Sequence, residues 1–305
     1  MQDVTTPLTE TNVEPSDVPG IINGLGHIRA QVKIVLKAGD FTITEPWPTH
    51  PDGDHILIRG ATVATPPVAS DFTGVKADDE TMLKFKWGTI VRPDEALVRS
   101  DKLLGTIQDV LVIGGDFGIA GAPRVGLRRV HCFDQTNAAY VAEYGGMIDG
   151  VDASCSHGHD GGRTDFDGTL RLNDYLAFDM SGYGLRVNHG GNIYPIAGTI
   201  IGRCETGMNA TDAGAIRGHY AEIYDCTDGA TATGGRLRLH GSNIHDCGDG
   251  LAVYSGGWAK IENGYLTGCD RALYVHKGFA NIDGATFSGN TVDQQIEAAG
   301  AFVYS

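Results

Sequence analysis

The chain has no hydrophobic run approaching the length of a transmembrane helix, so nothing in it reads as a spanning helix. Its first fifteen residues are polar and lack the apolar centre of a secretory signal, so export by the general secretory route is not expected. Positive charge is scarce: 23 Lys and Arg stand against 38 Asp and Glu, a net charge of −15, which argues against nucleic-acid binding. No Cys-x-x-Cys or Cys-x-x-His spacing occurs, and neither a metal nor a cofactor is expected. The last two-thirds show no helical period, and the Leu-x-x-Leu-x-Leu signature of leucine-rich repeats is missing.

What the chain has instead is repetition. One ladder is glycine: Gly146, Gly168, Gly191, Gly214, Gly235, Gly257, Gly278 and Gly300, with gaps of 21 to 23 residues. A second is Cys132, Cys155, Ser181, Cys204, Cys226, Cys247, Cys269 and Asn290, with gaps of 21 to 26. Two registers repeating together near 22 residues mean stacked coils, the mark of a solenoid.

Each ladder glycine opens a Gly-x-apolar-x pattern, with Ile148, Leu170, Ile193, Ile216, Leu237, Ala259, Ala280 and Phe302 at the apolar position. Apolar residues two apart mark a strand with one buried face, and the glycine is expected to serve a tight corner. A second strand leads into the cysteines through Phe178, Ile201, Ile223, Ile244, Leu266 and Phe287. A third is visible as Leu185-Arg186-Val187, Leu251-Ala252-Val253 and Leu273-Tyr274-Val275. Three strands in about 22 residues, with Gly, Asn and Asp at the corners, predict an all-β, single-stranded parallel β-helix. Equivalent cysteines in consecutive coils point the same way, so free thiols packed as small hydrophobes are expected, not disulfides.

Along the chain, residues 1–16 read as an arm, flexible or held by a partner. Residues 17–64 read as a short capping helix, starting at Ser16-Asp17-Val18-Pro19 with Ile21, Ile22, Leu25 and Ile28 as its apolar side, followed by the first coils. Residues 65–105 break the rhythm and read as an inserted loop or subdomain, and 106–305 as the main β-helix.

The stretches VKIVLKAGDFTI and HPDGDHILIRGA (within residues 32–61) and the repeats GLRVNHGGNI, GLAVYSGGWAKI and ALYVHKGFANI resemble right-handed parallel β-helices of the pectin-lyase-like superfamily. Within it they are most similar to phage tail-fibre and tailspike proteins. The resemblance implies a right-handed helix and a virion location in a phage tail, with tail proteins as partners, a homotrimer favoured and a host surface polysaccharide as receptor. The leading expectation is therefore a structural or receptor-contacting tail component. A polysaccharide lyase or glycoside hydrolase of the tailspike type is the alternative, and a bacterial surface adhesin the third reading. Polygalacturonase-like members carry Asn-Thr-Asp, Asp-Asp, Gly-His-Gly and Arg-x-Lys in order. Here Asp249-Gly250 matches the second element only in part, and Ser156-His157-Gly158-His159 lies out of order.

Two places stand out as sites. The cysteine ladder lengthens to 26 residues between Cys155 and Ser181, which predicts a bulge holding His157, His159, Asp160, Arg163, Asp165 and Asp167. Paired carboxylates beside His and Arg suit acid–base work on a sugar, while a solvated loop is the plain alternative. The outward positions beside the glycines read Thr169/Arg171, Asn192/Tyr194, Ala215/Arg217, Arg236/Arg238, Trp258/Lys260 and Phe279/Asn281. This basic and aromatic strip is expected to be exposed and to meet a partner protein in preference to a glycan, because a flat sheet face makes a poor pocket.

Overall fold

The structure is a computed structural model that describes residues 1–61, 87–100, 103–121, 124–297 and 302–304. Three faces, each built of parallel strands one coil apart, form a right-handed β-helix of about twelve turns. Sheet 1 runs from Leu8–Val13 through Val32–Leu36 and Ile56–Arg59 to Phe279–Asn281 and Phe302–Tyr304. Sheet 2 runs from Gly39–Ile43 to Thr286–Ser288, and sheet 3 has ten strands among the described residues, from Ala96–Ser100 to Val292–Glu297. Two long strands, Leu103–Ile113 and Arg124–Phe133, bend from sheet 1 into sheet 2, turning at Asp109 (φ 59°) and Arg129 (φ 49°). Asp109 is buried at that corner and holds Arg129 at 2.6 Å and Arg59 at 3.2 Å.

The core is a set of columns. Ile148, Leu170, Ile193, Ile216, Leu237, Ala259 and Ala280 stack rung on rung in sheet 1 and are fully buried. Leu185, Met208, Ala230, Leu251 and Leu273 do the same in sheet 3. Alternation sends every second side chain inward, and parallel stacking puts like on like.

The corners account for the Gly, Asp and Asn content, with one correction. The ladder glycines are not the residues that adopt the left-handed conformation. That falls just before them, at Tyr144, Phe166, His189, Asp212, Gly234, Ser255 and Lys277. The glycines are required by crowding: a Cβ on Gly168 would lie 1.9 Å from the Ala142 carbonyl oxygen, and one on Gly257 2.2 Å from that of Ala232. A second glycine column, Gly161, Gly184, Gly207, Gly229 and Gly250, lines sheet 3 for the same reason, each against a backbone oxygen of the next rung at 2.4 to 2.7 Å.

The cysteine ladder is two columns merged. Cys132 and Cys155 stack on Ala177, Ile201, Ile223, Ile244, Leu266 and Phe287 within sheet 2. Cys204, Cys226, Cys247 and Cys269 lie three residues further on, at the corner leaving sheet 2, where each thiol donates to the carbonyl two residues before it at 3.3 to 3.5 Å. A small apolar thiol suits either buried column, so residue type alone could not separate them. All six cysteines are free and buried. Phe178 is displaced by the same slip: it stacks on Gly202 and Tyr224, not on Ile201.

At the N-terminus the expected arm is instead part of the rod. Leu8–Val13 pairs with Val32–Leu36, and Gln2–Val4 with Leu25–Ile28. The backbone of a polar, Thr-rich segment pairs as well as any other, and Val4 and Val13 supply the buried contacts. The helix is short, Val18–Gly24, with Pro near its start and Val18 and Ile22 buried. Leu25 and Ile28, expected on it, belong to the following strand. Trp47 packs beside it, fully buried, its indole nitrogen donating to the Pro15 carbonyl at 2.9 Å. Of the expected insertion, Thr89–Pro93 and Ala96–Ser100 are ordinary coil strands, while residues 65–86 lie outside the described residues. Gly300 also lies outside them. The register shows that Val303, not Phe302, continues the column of Ala280, and Phe302 points outward, 57% exposed.

Candidate functional site

With the two cysteine columns separated, the bulge between Cys155 and Ser181 disappears. Residues 156–167 form a regular coil: Asp160–Thr164 is a strand of sheet 3, bounded by corners at His157 and at Phe166-Asp167. Asp160 and Arg163 therefore stand on a sheet face and not on a loop, and Asp165 directly follows the strand. Asp160, Arg163 and Asp165 are brought together there. His159 sits at the edge with Nδ1 3.2 Å from Asp160. His157 and Asp167 are not part of the group: His157 stacks on Phe133, and Asp167 is an exposed corner residue with φ 63°.

The outward positions of sheet 3 make three polar columns. One passes from Asp160 past Tyr183 to Thr206, Asp228, Asp249 and Arg271. The next holds Arg163, Arg186, Asn209 and Thr231 in direct register. The third holds Asp165, Asn188, Thr211, Thr233, Tyr254 and His276, at the end of each strand. Side chains on adjacent rungs, about 4.8 Å apart, hydrogen-bond along the rod. Arg163 lies 3.0 Å from Asp165 in an ion pair whose angle is not that of a hydrogen bond, and it donates to Asn137 at 2.9 Å. Asn188 donates to Asp165 at 2.9 Å and accepts from Arg186 at 3.3 Å and from Thr211.

Asp160 is the most enclosed member, with 3% of its side chain exposed. Arg163 and Arg186 stand 3.9 and 4.0 Å away. Burial pushes its carboxyl above the ordinary aspartate range, against the opposing pull of His159, Arg186 and Arg163. Further along, burial and the neighbouring Asp249 also raise Asp228, while Arg271 clamps Asp249 with two bonds at 2.6 and 2.7 Å. Between the two groups Asn209 donates to Thr231 at 2.6 Å, and its Oδ1 is buried with no hydrogen-bond partner.

A feature the sequence reading missed borders this face. Tyr144, Phe166 and His189 occupy the same corner on three successive coils, all at positive φ between 44° and 49°. Their rings stack at 5.0 and 4.9 Å, and Tyr144 and Phe166 are 70% and 45% exposed. Bulky side chains rarely adopt this conformation, and such strain gathers at functional sites. His189 also reaches Asp165 at 3.6 Å. The signal was available: these residues lie two places before Gly146, Gly168 and Gly191, where later coils carry Asp212 or Ser255 two places, or Gly234 or Lys277 one place, before the glycine.

The strip on sheet 1 lies on the outward side as expected. Arg171 stacks on Tyr194, Arg217 sits 5.9 Å over the Tyr194 ring, and Arg236, Trp258 and Phe279 follow one another in register, beside Arg238 and Lys260. Trp258 and Phe279 are only partly exposed, because they stack on one another at 6.5 Å and Phe279 meets Tyr304 at 5.1 Å. Nor is the strip flat. The small Ala215 leaves a cleft of about 430 Å³ among Arg217, Arg236, Arg238 and Trp258. Among the described residues no three His, Cys, Asp or Glu side chains converge to hold a metal ion.

No protein-family model and no curated protein sequence matches the chain. Solved structures do. The A-module of the mannuronan C-5 epimerase AlgE6 of Azotobacter vinelandii is similar over 95% of this chain and 93% of its own, at 14% identity and a TM-score of 0.64. The AlgE4 A-module of the same organism is similar over 95% and 94%, at 14% identity and a TM-score of 0.59. The enzymatically active domain of tailspike protein 2 of bacteriophage CBA120 is aligned over 94% of this chain and 44% of its own, at 10% identity and a TM-score of 0.40. The fold is thus a right-handed parallel β-helix, shared with those epimerase modules.

Proposed function

We propose that this chain engages a polysaccharide laid along the outer face of sheet 3, centred on Asp160, Arg163, Arg186 and Asn209. The observation that carries the reading is the pairing of a polar track with an aromatic rail on one edge. The track offers charged and amide groups with little exposure and an unused acceptor on Asn209. Buried polar groups seek partners, and sugar hydroxyls supply them at each rung. The rail of Tyr144, Phe166 and His189 offers apolar ring surface at the edge. The epimerases that share the fold act, by name, on the polysaccharide mannuronan, which is in keeping with this use of it.

The tail-associated role belongs to this proposal as its biological setting. Attachment to a host surface polysaccharide needs binding and no turnover, and a rigid sheet face serves it. Retention on a panel of immobilised neutral and acidic polysaccharides tests the binding. At least one polysaccharide should be retained, and Arg186→Ala and Phe166→Ala should each weaken retention. No retention across the panel, or variants indistinguishable from the parent chain, would count against it. Imaging labelled chain on intact phage particles tests the setting.

A second reading, turnover of the bound polysaccharide, is favoured by one observation. The raised carboxyl of Asp160 keeps its proton to higher pH than an ordinary aspartate, as an acid catalyst requires. New reducing ends, or unsaturated products seen by their ultraviolet absorbance, should then appear and vanish in Asp160→Asn while retention persists. Binding without any product would leave attachment as the function.

A further inference from the structure

We infer that the cleft at Ala215 on sheet 1 is a second, separate binding site, and that its ligand is a carboxylated saccharide. The chain as a whole is acidic, with a net charge of −15, yet this cleft gathers three arginines on two adjacent rungs. Arg217 and Arg238 are in direct register, and Arg236 stands beside Ala215 on the neighbouring column. Arg238 is tied to Glu262 at 3.5 Å, and Arg217 lies against Tyr194. Among the described residues Arg236 makes no ion pair, so its planar fork is free for a carboxylate.

Trp258 closes the same cleft. It follows Arg236 on the ladder, and a further lobe of about 580 Å³ continues past it between Arg236, Gly235, Gly256 and Ala213. One side of the indole is taken by Phe279. The cleft-lining part presents an apolar platform within one rung of a guanidinium. A carboxylated sugar has the two matching features, an anion and an apolar ring face. A long nucleic acid is disfavoured, since beyond these three arginines its phosphates would run onto the rest of an acidic rod. A protein surface is disfavoured by the hollow left at Ala215.

Calorimetric titration of the whole chain with tetragalacturonate tests the site. Arg236→Ala and Trp258→Ala should each weaken binding by about tenfold or more, because a charge-assisted contact or a ring platform is lost. Arg236 is exposed and Trp258 is half-buried on the outer face, outside the core columns, so both variants should keep the parent chain's melting curve, and Arg236→Lys should retain part of the affinity. Methyl-esterified tetragalacturonate should not bind, and quenching of tryptophan fluorescence should disappear in Trp258→Phe. Absence of binding to the parent chain, equal binding by the variants, or tighter binding of an oligothymidylate would overturn the assignment. Loss in Arg186→Ala with Arg236→Ala unaffected would move the ligand to sheet 3, overturning this site while leaving the polysaccharide reading intact.

Discussion

Ionising Asp160 is costly in the folded chain. Its folded carboxyl sits above the ordinary value of 3.8 because burial outweighs the pull of His159, Arg186, Arg163 and the Tyr183 backbone N–H. The folded chain therefore holds this proton to higher pH than the unfolded chain does. The stability the group contributes is fully present below the unfolded value and is lost as pH rises through the folded one. Asp160→Asn removes that loss. Its melting temperature relative to the parent chain should rise from acid to neutral pH, and a difference independent of pH would contradict the assignment. The thiols give a second prediction at this scale. Burial pushes Cys132 up to about 12, while Cys226, raised first by its contact with Cys204, and Cys247, raised first by Cys226, also reach about 12. A thiol reagent at mildly alkaline pH should leave the native chain unmodified and label all six cysteines after denaturation. Rapid labelling of native protein would show that the columns open.

At the scale of the strand and corner, the repeat was legible and its phase was not. The period near 22 residues and the Gly-x-apolar-x strand gave sheet 1 almost residue for residue, because a buried column tolerates few residue types. The cysteine pattern alone puts the columns of sheet 2 three residues out of phase at Cys132 and Cys155, since a thiol fits both core positions. That slip turns a regular coil into a bulge, yet the residues it marks include Asp160, Arg163 and Asp165, which do share a face. Arg186, Asn188 and Asn209 were overlooked because their partners stand one coil away, beyond the reach of local pattern. The Tyr144–Phe166–His189 rail was overlooked because positive φ in an aromatic residue leaves no signature in a single coil. The glycine columns yield a direct test. A methyl group on Gly257 would fall 2.2 Å from the Ala232 carbonyl oxygen, so Gly257→Ala should destabilise the chain by about 1–3 kcal/mol in denaturant titration. An unchanged midpoint would mean the coils can part without cost.

The whole molecule is a rod whose coils touch only their neighbours, so its two working faces act independently. Sheet 3 carries the polar track and the rail, and sheet 1 carries the arginine cleft, each on rigid strands. The homotrimer implied by the resemblance to tail proteins is a proposal of its own. It predicts a solution mass of three times 32.3 kDa by light scattering, and a mass of 32.3 kDa would contradict it. The central claim concerns sheet 3, and a crystal structure of the chain with the oligosaccharide it retains most tightly tests it most directly. The saccharide should lie along the rod between Asp160 and Asn209, hydrogen-bonded to Arg186 and to Asn209 Oδ1, with a ring against Phe166. A saccharide bound only to another face, with sheet 3 bare, would contradict the account.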